Sequence, residues 1–193
     1  MPLIYSANSK MPSLTDVNKE VVMRTPLILA IAAALSGCAD SHQWTPQQSG
    51  TAHLSATDRV YISVPADCTY GSEVYSGSGR NTAQIIYASF ARYSKAARVG
   101  HDVLDFDEAL EAARHGGQDY LILPTIMHWE DRATEWSMIP DRAEVKIEVV
   151  QVLSGAVISS GIAKGKSGLA TFGGDHPQDL LPEPIEAFVS TLY

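Results

Sequence analysis

The sequence predicts a mixed α/β (α+β) domain with a single mixed β-sheet of about five strands and three helices. Two observations indicate this fold class. Short β-branched runs alternate with amphipathic helical patterns, as in α/β units. Residues 143–153 then alternate apolar and charged side chains, and the chain returns through Ser154-Gly155, as in an antiparallel hairpin. A final helical pattern completes the element order β-α-β-α-β-β-β-α.

The first half of the domain carries two strand–helix patterns. Residues 59–64 form a β-branched and aromatic strand stopped by Pro65, and residues 81–94 carry an apolar helical stripe. A short strand is expected over 95–99. The next helix begins with a capping-box pattern, Asp105 with Glu108, and we expect its end at Gly116 in a left-handed conformation.

The second half reads as strand, hairpin and helix. Residues 120–127 are a continuous apolar run, typical of a buried strand, and Pro124 within it predicts a bulge or a change of partner. In the hairpin, Lys164 and Lys166 are expected opposite acidic residues such as Glu144. The last helix is expected to begin near Pro184, a residue suited to a first helical turn.

A signal-like segment precedes the domain. Arg24 is followed by about eleven mostly apolar residues, fewer than the roughly 20 that span a bilayer, and then by small residues. We therefore expect a signal peptide over 23–37 and no permanent transmembrane helix. The ending Leu35-Ser36-Gly37-Cys38 resembles the lipobox of bacterial lipoproteins. That resemblance implies cleavage before Cys38, lipidation of its sulfur and an acylated amino terminus.

The segments around the signal are expected to lie outside the folded domain. Residues 1–22 are polar and aperiodic; we expect translation to begin at Met23, which would make 1–22 a mis-annotated extension, and the alternative is a disordered extension. Residues 38–57 are rich in Ser, Thr, Gln and Gly and read as a flexible tether, with Trp44 expected to be solvated; the alternative is contact of Trp44 with the domain or the bilayer interface. The mixed α/β domain is expected over 58–193.

Charge and location follow from the same segments. The net charge of −8 becomes −9 without residues 1–37, which carry three basic and two acidic residues. An acidic surface argues against nucleic acid and against electrostatic binding to anionic lipid, so the bilayer is contacted through acylated Cys38 alone. The lipobox resemblance, with Ala39 rather than aspartate after Cys38, implies the periplasmic face of the outer membrane. Cys68 then has no partner in the chain and is expected to be a buried or inert thiol, the alternatives being an intermolecular disulfide or a redox role.

Two short segments resemble a group of bacterial envelope proteins. These are Ala113–Ile122, similar to an Ala-x-x-Gly-Ala-Asp-Tyr-Leu-Val segment, and Val149–Ile158, similar to a Val-Asp-x-x-Thr-Gly-x-Val hairpin. The group includes the amino-terminal domain of TolB, the curli secretion lipoprotein and lipoprotein activators of penicillin-binding proteins. The resemblance implies the same type of α/β domain. Ser154 in place of threonine and Pro124 in the third strand depart from the pattern.

A closer resemblance covers nearly all of the chain after Cys38. The segments Tyr75–Gly79, His128–Trp136 and Thr171–Pro182 resemble a family of bacterial lipoproteins defined by domain of unknown function 4823. This resemblance implies location and fold. It implies no activity.

Several polar residues are candidates for chemistry. If the third strand continues, His128, Glu130 and Arg132 share one face, and Asp175, His176 and Asp179 could add ligands from a loop. Neither spacing matches a known metal pattern, so solvated or ion-paired side chains are the favoured interpretation. Trp129 and Trp136 could stack on sugar or peptide, or cover the sheet. The glycine-rich 75–79 segment matches no phosphate-loop pattern.

The leading hypothesis is a non-catalytic lipoprotein without cofactor or metal that binds an envelope protein or peptidoglycan. One alternative is a metal-dependent hydrolase using His128, Glu130 and His176. Another is an oligomeric secretion-type component, although the chain lacks the extra length of a pore. The candidate binding surface consists of His128, Trp129, Glu130, Asp131, Arg132, Trp136, Phe172, Asp175 and His176.

Overall fold

A computed structural model describes residues 40–48, 50, 53–131, 140–168 and 176–193. Within these residues the structure has a six-stranded mixed sheet, a two-stranded hairpin, three α-helices and one 3₁₀ turn. The predicted α/β class is therefore confirmed, with one strand more than expected in the main sheet. The strands are β1 (Ser41–Gln48), β2 (Arg59–Val64), β3 (Thr69–Tyr70), β4 (Glu73–Val74), β5 (Ala96–Val103), β6 (Tyr120–Glu130), β7 (Arg142–Gln151) and β8 (Ala156–Lys166).

The helices are α1 (Ser78–Phe90), α2 (Phe106–His115) and α3 (Pro182–Val189), and the 3₁₀ turn is Pro177–Leu180. The main sheet has the order β1-β8-β7-β6-β2-β5. β2 is parallel to both β5 and β6, whereas β6, β7, β8 and β1 pair antiparallel in turn. None of the helices in the described part of the chain is long and apolar enough to cross a membrane.

Apolar side chains cover both faces of the sheet. On one face α1 and α3 bury Ile86, Phe90 and Phe188 against β7, whose Ala143, Val145, Ile147 and Val149 all point inward, as their alternation predicts. On the other face α2 buries Ala109, Leu110 and Ala113 against Tyr61, Leu121 and Val150. The parallel strands β5-β2-β6 thus have helices on both faces, which is typical of α/β units.

Strand β6 pairs with β7 over a longer stretch than it pairs with β2. Its parallel register with β2 ends at Ile122, whereas its antiparallel register with β7 continues to Glu130. Pro124 lies just beyond Ile122 and pairs with Ile147 of β7. The predicted change of partner is therefore confirmed close to this residue, and a bulge follows between Ile126 and His128.

Several local expectations are confirmed or corrected. Asp105 accepts a hydrogen bond from the Glu108 amide, and the Glu108 carboxylate accepts one from the Asp105 amide, which confirms the capping box. The left-handed residue after α2 is Gly117, at φ 62°, and not Gly116, which keeps a right-handed helical conformation.

The hairpin of β7 and β8 forms as predicted, with one wrong pairing. The Lys164 Nζ lies 3.0 Å from the Glu144 Oε2, as expected for a cross-strand charge pair. Lys166, however, faces Arg142, because the register that sets Lys164 opposite Glu144 places Lys166 opposite the first residue of β7.

The expectation of a flexible tether over 38–57 is wrong for residues 41–48, which form β1 at the edge of the sheet. Trp44 is not solvated. Its ring stacks on Phe188 of α3 at 4.0 Å between centroids and lies over Gly161 of β8, where an added Cβ would come within 2.1 Å of the indole. The polar sequence of β1 carries no apolar stripe. The backbone ladder, the Trp44 ring and hydrogen bonds from the side chains of His42 and Gln48 to the carbonyls of Leu180 and Val157 hold it.

Asp119 closes the corner between α2 and β6. Its carboxylate accepts hydrogen bonds from the Arg59 amide at 2.8 Å and from the Arg59 Nε and guanidinium at 3.1 and 3.0 Å. The Asp119 amide in turn donates to the Arg59 carbonyl. These bonds join the first residue of β2 to the start of β6, which gives a structural role to the aspartate of the Ala113–Ile122 segment.

Gly161→Ala tests the contact between the Trp44 indole and Gly161. We expect the new methyl group to displace the indole, with a cost of about 1–3 kcal/mol for overpacking and a red shift in tryptophan emission. Urea unfolding of the single and double variants with Trp44→Ala provides the control. In the Trp44→Ala background the alanine should cost little; equal costs in both backgrounds would contradict the contact.

Asp119→Asn tests the acid stability of the corner. The hydrogen bonds from Arg59 lower the pKa of Asp119 below its ordinary value, so its stabilisation is present above about pH 4 and is lost as the pH falls through the folded-state pKa. We expect the variant to lose less stability than the parent between pH 6 and pH 3 in urea titrations. In an Arg59→Met background, which removes the guanidinium but keeps the backbone amide of residue 59, the same substitution should change the pH dependence by a smaller amount.

Candidate functional site

Side chains from three separate segments meet at one cleft beyond the end of β6. The cleft has a volume of about 380 Å³ and is lined by Tyr75, Ser76, Asn81, Asp131, His176 and Gln178, among others. We call it the His176 cleft. Residues 75–79, 128–131 and 176–180 are described parts of the three segments that carry the closer family resemblance. Distant parts of the sequence thus supply one surface.

The first segment, residues 75–79, leads into α1, and its backbone amides leave no binding site for an anion. The Asp67 carboxylate accepts hydrogen bonds from the amides of Gly77 and Gly79, at 2.9 and 2.8 Å. Gly77 has φ 87°, and a Cβ on Gly79 would come within 2.1 Å of the Pro65 carbonyl oxygen. A side-chain carboxylate therefore occupies the helix amino terminus where a phosphate would have to bind. The glycines serve close packing.

The third segment fixes His176 beside the end of β6. His176 precedes the 3₁₀ turn, and its amide donates to the Asp179 carboxylate at 3.1 Å while the Asp179 amide donates to the His176 carbonyl. The imidazole Nδ1 of His176 lies 3.3 Å from Asp131 Oδ2. Asp179, considered as a ligand from the sequence, thus holds the turn. His176 and Asp131 form an accessible ion pair when the imidazole is protonated.

The bulge in β6 divides the other candidates between two faces of the strand. His128 and Glu130 share a face, as predicted, with His128 Nε2 at 3.3 Å from Glu130 Oε1. The ring of Tyr70 on β3 packs edge-on against His128 at 5.0 Å. Trp129 points the opposite way, where it pairs with buried Ala143. The candidate residues therefore form two groups and not one surface.

Trp129 is only 3 % exposed and belongs to the main core. This burial agrees with the interpretation of Trp129 as cover for the sheet. Trp129 also lines the His176 cleft. Arg132, Trp136, Phe172 and Asp175 lie outside the described residues.

The described residues do not assemble the hydrolase constellation. His128 pairs with Glu130 on one face of β6, and His176 pairs with Asp131 at the His176 cleft. Adjacent strand residues point to opposite faces, which separates His128 from Trp129 and the cleft. Among the described residues no group of three or more His, Cys, Asp or Glu side chains could hold a metal ion.

Cys68 is buried and free, as the sequence interpretation of an inert thiol requires. Burial raises the pKa of its thiol, and the Trp129 backbone amide opposes this shift only in part. A raised pKa disfavours the thiolate, which is the nucleophilic form. Cys68 therefore lacks the environment of a catalytic cysteine.

The sequence interpretation missed four members of the His176 cleft. Tyr75, Ser76, Asn81 and Gln178 line it, yet none was among the candidate residues. Their segments were flagged by the family resemblance, but hydroxyl and amide side chains form no spacing pattern that indicates a site. A resemblance carried by several distant segments is itself a signal that they converge.

The family's model, described as "Domain of unknown function (DUF4823)", matches residues 52–192. The chain belongs to this family. The DUF4823 match covers every described element except β1. No curated protein matches the chain.

Solved structures share the fold of this DUF4823 protein. PelC from Paraburkholderia phytofirmans, a dodecamer, is similar in two crystal forms. One has a TM-score of 0.59 and 18 % identity and covers 79 % of this chain and 98 % of PelC; the other has 0.56 and 20 %, covering 76 % and 95 %. Lipoprotein GNA1162 from Neisseria meningitidis is more distant, with a TM-score of 0.47 and 12 % identity over 69 % of this chain and 96 % of that protein. At these identities the PelC likeness establishes the fold alone.

Proposed function

We propose that this DUF4823 protein is a lipid-anchored envelope lipoprotein that binds another envelope component, a protein or peptidoglycan, at the His176 cleft and performs no chemistry itself. The observation that carries the proposal is the convergence of the three family segments on this one cleft. Segments that resemble the family but lie far apart in the sequence, 101 residues for Tyr75 and His176, meet there at a surface and not in the core.

The side chains of the cleft suit recognition better than catalysis. Ser76, Asn81 and Gln178 offer hydroxyl and amide groups that both donate and accept hydrogen bonds, and Tyr75 adds an aromatic ring. The His176–Asp131 pair places a carboxylate at the rim. Neutral polar groups of this kind bind peptide backbones, amides and sugar hydroxyls, all of which envelope polymers and proteins present.

The anchor and the location rest on the amino-terminal sequence. The lipobox resemblance places the lipid on Cys38, and β1 begins at Ser41, so a few residues separate the proposed lipid from the folded sheet. The bilayer, reached through acylated Cys38, would hold the domain at the periplasmic face of the outer membrane. The oligomeric alternative draws support from PelC, which has this fold and forms a dodecamer.

Cys38→Ser tests the anchor. We expect the variant to lose the mass of its acyl chains in intact-protein mass spectrometry and to move from the membrane to the soluble fraction, because the acidic chain has no electrostatic affinity for anionic lipid. Cys68→Ser is the matched control and should stay acylated and membrane-bound. A Cys38→Ser protein that remains in the membrane fraction would exclude the lipid anchor.

Photo-cross-linking in living cells tests the cleft. A benzoyl-phenylalanine at position 176 should form a discrete adduct with one envelope component, identified by mass spectrometry. The same probe at Gln84, which is exposed on α1, is the control for random encounters. Asn81→Trp, which fills the cleft, should abolish the adduct. Equal adducts from both probes, or an adduct insensitive to Asn81→Trp, would count against the cleft as the binding surface.

A further inference from the structure

The parallel half of the sheet carries an exposed apolar side chain at its amino end. Leu153, at the tip of the β7–β8 hairpin, is 90 % exposed. The tip lies at the amino ends of β2, β5 and β6, because Gln151 pairs with Tyr120, the first residue of β6, and the Val152 amide donates to the Asp119 carbonyl. The Arg114 guanidinium lies beside the tip, with its Nε 3.4 Å from the Val152 carbonyl oxygen.

The opposite end of the same strands carries an apolar cleft. It has a volume of about 640 Å³ and lies between the loop after β2, the end of β5 and residues 123–127 of β6. This part of β6 extends beyond its pairing with β2. Val103, Phe106 and Met127 line it and are 58 %, 38 % and 53 % exposed. We call it the carboxyl-end cleft. It is distinct from the His176 cleft.

The two ends also differ in charge. The carboxyl end carries six acidic side chains, two of which, Asp67 and Asp105, line the cleft, against one arginine, Arg80, and one histidine, His101. The six are Asp67, Glu73, Asp102, Asp105, Asp107 and Glu108. The amino end carries four basic side chains and one histidine against three acidic ones: Arg59, Lys95, Arg98, Arg114 and His115 against Asp58, Glu111 and Asp119. An acidic cleft rim is thus complementary in charge to a mildly basic tip.

One molecule cannot bring its own tip to its own cleft. Six residues of β2 separate the two ends, a distance of about 20 Å at roughly 3.3 Å per residue. An apolar side chain beside a cation therefore fits an apolar cleft with an acidic rim only on another molecule. We propose that the occupant of the carboxyl-end cleft is the Leu153 tip of a second copy of this chain, with Arg114 facing the acidic rim.

This contact is heterologous, because each copy offers a tip at one end and a cleft at the other. Repetition of such a contact generates a closed ring or an open filament and not an isolated pair. The inference rests on the oligomeric alternative above. It uses neither the lipid anchor nor the His176 cleft.

Disulfide cross-linking of the full chain in membranes tests the contact. All variants carry Cys68→Ser, because Cys68 also lines the carboxyl-end cleft and its thiol would otherwise react with a cysteine at position 153. In this background the double variant Leu153→Cys with Val103→Cys, treated with copper–phenanthroline, should give a ladder of dimers, trimers and larger species on non-reducing gels. The matched control is Leu153→Cys with Val74→Cys, because Val74 on β4 is as exposed as Val103. Either single variant alone should give no ladder, and the two single variants expressed together should give a dimer only.

Four results would overturn the contact. A ladder no stronger than that of the Val74 control would do so, as would a dimer from Leu153→Cys alone, which would indicate a symmetric tip-to-tip contact. An oligomer by light scattering of the detergent-solubilised chain without a ladder would refute this contact and retain self-association, whereas a monomer would refute both.

Charge-reversal variants test the charge complementarity of the contact. Arg114→Glu in the cross-linking background should reduce the ladder several-fold at low salt, and Asp102→Lys added to it should restore the yield. Thermal unfolding of each variant checks that α2 is intact, because Arg114 also lies 3.8 Å from Glu111. A ladder unchanged by Arg114→Glu would show that charge plays no part in the contact.

Discussion

The unequal lengths of β6 and β2 determine where the two clefts of this molecule lie. β2 stops at Val64 and its register with β6 ends at Ile122, while β7 supports β6 for eight more residues. The unsupported side of β6 forms one wall of the carboxyl-end cleft, and the strand's end forms one wall of the His176 cleft. A β2 of matching length would fill the first cleft with backbone. Both surfaces therefore depend on a backbone pairing that ends early on one side only.

The bulge at Met127 determines which side chains reach these surfaces. Before it, Ile122, Pro124 and Ile126 pair with inward-facing residues of β7 and point to the main core. Strict alternation would send His128 to the core and Trp129 to the other face. One extra residue reverses this order: Trp129 pairs with buried Ala143, and His128 faces Glu144. The bulge thereby buries the large apolar ring and keeps the imidazole beside a carboxylate, which is the arrangement with the lower desolvation cost.

Elements whose signals are local could be predicted from the sequence. The hairpin follows from the alternation of Ala143 to Val149, and α2 follows from its Asp105–Glu108 cap. Three features could not be predicted. β1 contains mostly polar residues, because an edge strand held by the ladder, by Trp44 and by the hydrogen bonds of His42 and Gln48 needs no apolar stripe. The face on which His128 lies depends on the exact position of the bulge in β6, which the residue types do not predict. The pairing of His176 with Asp131 is likewise a product of tertiary structure, since 45 residues separate them.

The free side of β6 is suited to side-chain recognition and poorly suited to strand addition. An open edge normally invites pairing with another chain, and proteins oppose this with proline, bulges or covering segments. Here Pro124 lacks an N–H just after the last β2 pairing, the Met127 bulge breaks the repeat three residues later, and Tyr70 of β3 packs against His128. A partner therefore meets an interrupted ladder but a largely apolar wall, in which Thr125 is the polar residue contributed by β6. Because the backbone offers so little, specificity at this cleft must come from the shape and charge of the side chains that enter it.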